Sequence, residues 1–330
     1  MLKVGLLGAG RIGRVHAANI AGHSRSALVA VADMDASSAR DVAEKYDAQV
    51  RSTEDILNDP AVDAVLVATS TDTHADLIER AAAAGKAVLC EKPLDLSLER
   101  AKTTSARVAD APRPIMIGFN RRFDANFASV RQSLVAGDIG KAELLSITSF
   151  DPAPPPISYV RVSGGLFRDM MIHDLDMASF IMGDRPVAVQ AVGSALVDPE
   201  IEAAGDVDTA VVTLRYADGR IAVIKNSRRA VYGYDQRLEL LGSDGLLSVA
   251  NVPENTVSRA TRDGITAAKP QFFFLARYMQ AYRTEWDAFV SSVLDGADVP
   301  VTLDDGVAAL ALAEAALQSL QSGVPVKPDL

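Results

Sequence analysis

Short, almost wholly apolar segments alternate with amphipathic ones through the first 120 residues. The apolar segments predict strands at Lys3–Leu7, Leu28–Ala32, Ala64–Ala68, Ala87–Cys90 and Ile115–Gly118. The segments between them predict helices near Ile12–Ala21, Ser37–Tyr46, Thr73–Ala84 and Ser97–Ala109. Continuously apolar strands are typical of a parallel sheet that helices cover on both faces. The repeated strand–helix units therefore predict an α/β domain with a doubly wound parallel sheet.

The pattern changes after about residue 120. A helix at Phe123–Val135 and a strand at Glu143–Ser149 lead into a proline-rich loop that begins at Asp151, and a helix follows near Met170–Met182. Further strands are predicted at Val187–Leu196, Thr209–Tyr216, Arg220–Ser227, Arg237–Leu241 and Leu246–Ala250, and two helices at Leu275–Leu294 and Leu303–Leu320. Hairpin turns at Asp218-Gly219 and Ser243-Asp244-Gly245 favour a large, mostly antiparallel open sheet. We therefore predict a nucleotide-binding domain at 1–120 and a second, α+β domain at 121–330.

Composition and charge narrow the class of protein. The chain has 330 residues, of which 48% are hydrophobic and 23% charged, and this composition excludes intrinsic disorder. Its formal charge of −10 repels nucleic-acid phosphates and anionic lipid, so we expect neither as a partner. Cys90 is the single cysteine, which rules out an intrachain disulfide and a cysteine-based zinc site. A strand pattern from the first residues and the lack of a long apolar run predict a cytoplasmic protein.

A glycine-rich turn follows the first predicted strand and opens the first helix. Gly8 suits the tight turn, Gly10 lets the backbone approach a pyrophosphate, and Gly13 permits close helix–strand packing. The segment also contains Arg11 and Ile12, and its helix N-terminus offers free N–H groups to phosphates. Such a turn alone is a weak signal for a dinucleotide.

Asp33 ends the second predicted strand, 20 residues beyond Gly13, which is the spacing expected of a ribose ligand. Its carboxylate would repel a 2′-phosphate, and Asp35 adds charge, so NAD is favoured over NADP. Two alternatives remain open: Asp33 only caps the strand end, or Arg11 or Arg40 holds a phosphate.

Two polar clusters follow later strands of the predicted parallel sheet. Thr69, Ser70 and His74 come after the third strand and are candidates for the nicotinamide ribose, although a helix cap at Asp72 or Thr73 explains this segment equally well. Glu91 and Lys92 come after the fourth strand. A lone lysine there is more often a solvated surface residue than a catalytic one.

A third cluster contains Asp169, His173 and Asp176, at positions i, i+4 and i+7. This spacing predicts one helical face that carries two carboxylates and an imidazole. An Asp helix cap followed by an exposed polar face is the plainer interpretation. A metal site is disfavoured, because no other histidine lies near this helix in sequence.

In this order the clusters resemble those of the Gfo/Idh/MocA family of NAD(P)-dependent oxidoreductases, over essentially the whole chain. The segments that carry the resemblance are GAGRIG with Asp33, Cys90-Glu-Lys-Pro93, Gly118-Phe-Asn-Arg-Arg-Phe-Asp124, Asp169 with His173 and Asp176, and Tyr232-Gly-Tyr-Asp-Gln-Arg237. The last segment and the proline-rich loop resemble the branch that oxidises inositols. Phe150 departs from the pattern, because many relatives carry arginine there.

The resemblance implies a Rossmann domain, a second domain with a large open sheet, and dimers or tetramers formed through that sheet. It implies Lys92, Asp169 and His173 as catalytic residues. His173 would take the hydroxyl proton of a cyclitol, Asp169 would support the imidazole, and Lys92 would stabilise the developing alkoxide while NAD accepts the hydride.

An uncharged polyol needs many fixed polar contacts, and the candidates are Asn120, Arg122, Asp151, Asp176, Tyr232 and Tyr234. Three rival functions remain: an NAD(P)-dependent dehydrogenase of an aldose, one of another inositol isomer, or a non-catalytic NAD(H) sensor. A nucleic-acid-binding regulator is disfavoured by the charge.

Overall fold

The computed structural model describes residues 1–330 and divides into two compact units. The first unit comprises Met1–Asn120 and Ala281–Leu310, and the second comprises Arg121–Gln280 and Ala311–Leu330. By contacts, Ala281–Leu310 thus groups with the N-terminal unit, whereas the sequence-based division placed these residues in the second domain. The division of functions between 1–120 and 121–330 stays a prediction.

The first unit alternates strands and helices. Its strands are β1 (Leu2–Leu7), β2 (Ser26–Ala32), β3 (Gln49–Val50), β4 (Ala64–Val67), β5 (Ala87–Glu91) and β6 (Ile115–Gly118). Its helices are α1 (Arg11–Gly22), α2 (Ala36–Tyr46), α3 (Thr53–Asn58), α4 (His74–Ala83) and α5 (Leu98–Arg107). The sequence pattern predicted all of these except β3 and α3.

The six strands form one parallel sheet in the order β3-β2-β1-β4-β5-β6. All four residues of β4 and of β6 are buried, which explains why these strands lack polar alternation. The order reverses between β1 and β4, and ligands of open α/β sheets bind at the carboxyl ends of the strands at such a switch point. The predicted doubly wound sheet is confirmed.

The second unit begins with α6 (Ala125–Ala136), β7 (Ala142–Phe150) and α7 (Ile157–Val160). A π-helical turn at Phe167–Met171 then runs directly into α8 (Ile172–Met182). The remaining elements are β8 (Ala188–Ser194), α9 (Pro199–Ala203), β9 (Thr209–Arg215), β10 (Ile221–Ser227), β11 (Asp235–Gly242), β12 (Gly245–Val249), β13 (Ser258–Thr261) and β14 (Gly264–Ala267). Two long helices, α10 (Phe274–Leu294) and α11 (Leu303–Ser322), each contribute residues to both units.

Strands β7 to β12 form a second six-stranded sheet in the order β12-β11-β7-β10-β9-β8. Every neighbouring pair is antiparallel except β7 and β10, which run parallel. Alternate residues are buried along β8, β9 and β10, so one face of the sheet is packed and the other is accessible. The predicted mostly antiparallel open sheet is confirmed. No helix is both long enough and apolar enough to cross a membrane.

Candidate active site

Two of the three glycines in the turn between β1 and α1, Gly8 and Gly13, lie where a side chain would clash with the backbone. Gly8 has a φ of +99°, and a Cβ there would lie 2.4 Å from the carbonyl oxygen of Ala68. A Cβ on Gly13 would lie 2.0 Å from the carbonyl oxygen of Gly8. By contrast, a Cβ on Gly10 would meet nothing within 4 Å, so open space lies beside this residue.

The start of α1 fits the pyrophosphate of a dinucleotide. Gly10 is the cap residue, no side chain caps the helix, and its first turn contains no acidic residue. The N-terminus of this helix is the positive end of the helix dipole, which favours an anionic ligand. Arg11 and Ile12 are the first two residues of this helix.

Asp33 follows β2 directly, and its carboxylate is fixed by two backbone groups. Its Oδ2 accepts a hydrogen bond from Ala9 N at 2.5 Å, and its Oδ1 accepts one from Asp35 N at 2.8 Å. Both predicted roles are thus compatible, because a carboxylate has lone pairs left for ribose hydroxyls after accepting these bonds. Hydrogen bonds from Ser37 and Ser38 lower the pKa of Asp35 to about 2, which keeps a second negative charge beside Asp33.

The loops that follow β4 and β5 are joined by a buried histidine. The ring of His74 places Nδ1 2.8 Å from Pro93 O and Nε2 3.2 Å from Thr69 O. Burial lowers the pKa of this imidazole. His74 therefore connects the predicted ribose-binding segment to the loop that carries Lys92, whose peptide bond to Pro93 is cis.

Within the segment after β4, the hydroxyls of Thr69 and Thr73 lie 2.6 Å apart. Ser70 is exposed, and Thr73 occupies the cap position of α4 without a side-chain capping bond. The alternative prediction of a helix cap is thus confirmed in one respect, because Thr73 occupies the cap position of α4. Its side chain, however, makes no capping hydrogen bond.

Glu91 belongs to a buried cluster that the sequence pattern did not indicate. His16 Nε2, on α1, lies 2.6 Å from Glu91 Oε1, and the ring of Tyr282 packs edge-on against His16 at 5.5 Å. Glu285 is fully buried, and its burial, together with the charge of Glu91, raises its pKa well above the usual range. The hydrogen bond with His16 therefore fixes the side chain of Glu91, the residue that precedes Lys92 in the chain.

In the second unit, the parallel strands β7 and β10 end at the same edge of the sheet and bring charged residues together. Asp151 follows β7, and its backbone N donates to Ser227 O at 2.9 Å. Arg228 follows β10, is 1% exposed, and donates from Nη2 to Asp169 Oδ2 at 3.3 Å. The hydroxyl of Tyr159 donates to the other oxygen of Asp169 at 2.9 Å.

Asp151 and Asp169 thus lie around one buried arginine. Burial raises the pKa of Asp151 to about 6, while Arg228 and Arg121 oppose the increase and Asp169 adds to it. No spacing in the sequence indicated Arg228 or Tyr159, because both are brought to Asp169 by the tertiary fold.

Asp169 and His173 belong to two consecutive helical segments of different winding. Asp169 belongs to the π-helical turn, whereas His173 is the second residue of α8. A π-helical turn has a wider winding and occurs frequently at functional sites. The regular helix expected through Asp169 is therefore interrupted, and Asp169 lies inside the π-helical turn rather than at its cap position. The expectation that Asp169, His173 and Asp176 share one face stays a prediction. The expected contact between Asp169 and the His173 ring stays a prediction.

Two of the predicted substrate ligands pair with each other. Arg122 Nε donates to Asp176 Oδ2 at 2.9 Å and Nη2 donates to Oδ1 at 2.5 Å, in a buried bidentate ion pair. Asn120 is 3% exposed and begins a short 3₁₀ helix that ends at Phe123.

The two predicted tyrosine ligands differ in their surroundings. Tyr232 is 46% exposed and donates its hydroxyl proton to Asp235 at 2.5 Å. Burial and this hydrogen bond raise its pKa to about 12. Tyr234 is buried, and its hydroxyl accepts from Arg121 Nη2 at 3.4 Å. A direct substrate contact by either tyrosine stays a prediction.

A glycine turn in a parallel Rossmann sheet, followed by a second unit with a large open sheet, is the architecture of an NAD-binding oxidoreductase. Residues 2–119 match the family described as "Oxidoreductase family, NAD-binding Rossmann fold", and residues 127–248 match the GFO/IDH/MocA C-terminal domain. The chain belongs to the Gfo/Idh/MocA oxidoreductase family.

Similar proteins cover the chain from end to end. An inositol 2-dehydrogenase of Rhizobium meliloti is 47% identical over 319 residues, which are 97% of each chain. A solved myo-inositol dehydrogenase of Corynebacterium glutamicum has a TM-score of 0.95 at 42% identity, covering 99% of this chain and 98% of that one. A scyllo-inositol dehydrogenase of Lactobacillus casei, solved with NAD(H) and scyllo-inositol, has a TM-score of 0.92 at 31% identity and 99% coverage of both chains.

Proposed function

We propose that the protein oxidises a ring hydroxyl of a cyclitol, with myo-inositol giving 2-keto-myo-inositol and NAD⁺ accepting the hydride. Names of similar proteins support this substrate: the Rhizobium meliloti and Corynebacterium glutamicum relatives are both inositol dehydrogenases. The glycine turn and Asp33 support NAD as the oxidant.

The balance of charges in the second unit is the observation that carries the proposal of a neutral substrate. Each buried arginine near the predicted site faces a carboxylate: Arg228 faces Asp169, Arg121 faces Asp174 and Arg122 faces Asp176. To bind a phosphate or carboxylate, the second unit would instead need an arginine whose charge is not already matched. A polyol, which is uncharged and rich in hydroxyls, suits a set of fixed donors and acceptors.

His173 is the proposed general base. Its Nδ1 is buried while the residue as a whole is partly exposed, so we assign proton abstraction from the hydroxyl group to Nε2. Asp169, held by Tyr159 and Arg228, would stabilise the imidazolium that forms.

Lys92 is the proposed electrostatic partner. Its ammonium group would donate a hydrogen bond to the reacting oxygen and stabilise the developing alkoxide, a contribution of about 3–4 kcal/mol for a well-placed donor. Bound NAD⁺ supplies the hydride acceptor. We retain Asn120, Arg122, Asp151, Asp176, Tyr232 and Tyr234 as proposed substrate-binding residues, with Arg122 and Asp176 acting as a pair.

The test is reduction of NAD⁺ or NADP⁺ by the purified protein with a panel of polyols: myo-inositol, scyllo-inositol, other inositol isomers, glucose and other aldoses. We expect the highest kcat/KM with an inositol and NAD⁺. Turnover of aldoses alone would replace the cyclitol with a sugar substrate. Absence of turnover with every pair, while NADH still binds, would favour the non-catalytic sensor.

The His173→Ala variant tests the assignment of the base. We expect loss of at least about 10²-fold in kcat, the lower range for a general base, with the Kd for NADH unchanged. His23→Ala is the matched control, because His23 faces Asp287 at 3.0 Å in the first unit and has no proposed role in proton transfer. Equal turnover of His173→Ala and wild type would refute the assignment.

We also propose that the protein forms a homo-oligomer through the accessible face of the second sheet. Four exposed residues are paired across neighbouring strands and form an apolar row, Ile221–Leu144–Leu241–Leu246. Each is at least 40% exposed in the single chain. A row of this kind on an open sheet is typical of a protein–protein contact. The cytoplasmic location stays a prediction.

A further inference from the structure

Asp174 directly follows His173, and its side chain is held by three separate elements of the second unit. The carboxylate is fully buried, and its Oδ1 accepts from Arg121 Nη1 at 2.5 Å and from Ser149 Oγ, on β7, at 2.6 Å. Its Oδ2 accepts from Asn226 Nδ2, on β10, at 2.8 Å. Charge-assisted hydrogen bonds of this kind are short and strong, so the first turn of α8 is fastened to the sheet.

The donors that hold Asp174 are themselves held. Arg121 reaches the hydroxyl of Tyr234 at 3.4 Å, and its guanidinium lies 5.6 Å from the ring centroid of Tyr278. Ser149 Oγ also lies 3.1 Å from Gln236 Oε1, on β11. Since these partners come from different strands and helices, the position of the carboxylate is defined by the fold of the whole unit.

This attachment determines where the neighbouring histidine points. An α-helix turns by about 100° per residue, so fixing Asp174 against the sheet also fixes the direction of His173 around the helix axis. The residues before α8 form the π-helical turn, whose rotation per residue differs from that of an α-helix. Asp176 is fastened by Arg122 about 200° further around the axis than Asp174, which prevents rotation in either sense.

We propose that Asp174 and Arg121 are positioning residues for proton transfer at His173. This inference rests on the proposed function, because it assumes that His173 is the base. Neither residue needs to touch the substrate. Their role is to hold the imidazole in the orientation in which it accepts the hydroxyl proton, and misplacement of a reacting group by about 1 Å reduces a rate by about 10²-fold.

The Asp174→Asn variant tests the proposal, because it keeps the size of the side chain and removes its charge. We expect kcat to fall about 10- to 100-fold, with the Kd for NADH within about twofold of wild type. With substrate deuterated at the oxidised carbon, the isotope effect on kcat should increase, because the chemical step becomes slower than product release.

Asp208→Asn is the matched control for stability. Asp208 is equally buried and accepts hydrogen bonds from the backbone N atoms of Leu196, Val197 and Asp198, and its carboxylate makes no hydrogen bond to α8. A purely structural role for Asp174 predicts that both variants lower the folded fraction but leave the kcat and isotope effect of the folded enzyme unchanged. That result would overturn the proposal.

Ser149→Ala and Asn226→Ala, which each remove one donor, decide the question if Asp174→Asn does not fold. If kcat falls by less than is expected for Asp174→Asn and the isotope effect still increases, the result supports the proposal. If kcat and the isotope effect are unchanged in both variants, the result overturns it.

Nitrogen-15 NMR of labelled imidazoles separates this inference from the proposed function. The His173 signals should shift in Asp174→Asn but not in Asp208→Asn, even if the protein oxidises no polyol. Unshifted signals in Asp174→Asn would also overturn the proposal.

Discussion

The stability of the Asp151→Asn variant, relative to that of wild type, should increase as the pH rises. Burial raises the pKa of this carboxyl to about 6, against the attraction of Arg228 and Arg121 and with the repulsion of Asp169 and Asp174. The ordinary value is 3.8, so folding favours the protonated form. Stability from this group is therefore complete below the unfolded pKa and is lost as the pH rises through about 6.

The size of the effect follows from the two pKa values. Each tenfold change in proton affinity corresponds to about 1.36 kcal/mol, so ionising Asp151 in the folded chain destabilises it by about 3 kcal/mol at pH 8. At pH 5 about half of this penalty is already present. The difference in unfolding free energy between Asp151→Asn and wild type should thus move by about 1 kcal/mol in favour of the variant between pH 5 and pH 8.

Equilibrium urea denaturation followed by far-ultraviolet circular dichroism, at pH 5, 6, 7 and 8, measures this difference. Asp208→Asn is the control, because folding shifts the pKa of Asp208 in the opposite direction to that of Asp151. Burial opposes the change, but backbone N–H donors lower the pKa of Asp208, so its contribution to stability is constant above the unfolded pKa. A difference between Asp151→Asn and wild type that does not vary from pH 5 to pH 8 would show that folding does not raise the pKa of Asp151.

Two further predictions concern the cofactor and the assembly. Gly13→Ala should weaken NADH binding at least about tenfold in a fluorescence titration, because the new Cβ would lie 2.0 Å from Gly8 O; Gly22→Ala, whose Cβ meets nothing within 4 Å, is the control. Leu144→Glu, in the middle of the apolar row, should shift light-scattering mass toward the monomer, whereas an unchanged mass would exclude this face as the contact.

The parallel sheet could be predicted from the sequence because its signal is local. Strands such as Ile115–Gly118 are short, wholly apolar and bounded by turn residues, and the prediction matches the structure residue for residue. Strand β3 has only two residues, both exposed, and β13 and β14 are exposed along their whole length. Such strands carry no hydrophobic period, so no pattern indicated them.

The candidate site could be predicted only in part, for a similar physical reason. Gly8, Gly10, Gly13 and Asp33 follow a spacing that the geometry of one βαβ unit imposes. The contacts of Arg228 with Asp169 and of Arg121 with Asp174 join residues 59 and 53 positions apart, which no local spacing encodes. The π-helical turn was equally hidden, because apolar residues on both sides of Asp169 fit an ordinary helix.

The side chain that titrates near neutral pH, Asp151, lies among the proposed polyol contacts and not at the glycine turn. The glycine turn presents backbone N–H groups to the cofactor, and these do not titrate, while burial keeps the nearby His74 uncharged by lowering its pKa. In the second unit the proposed contacts are titratable, and Asp151 changes from hydrogen-bond donor to acceptor at about pH 6. A hydroxyl group can pair with either form because it both donates and accepts. The polyol site can therefore keep its contacts across neutral pH by reversing the direction of one hydrogen bond, which an anionic substrate would not allow beside an ionised carboxylate.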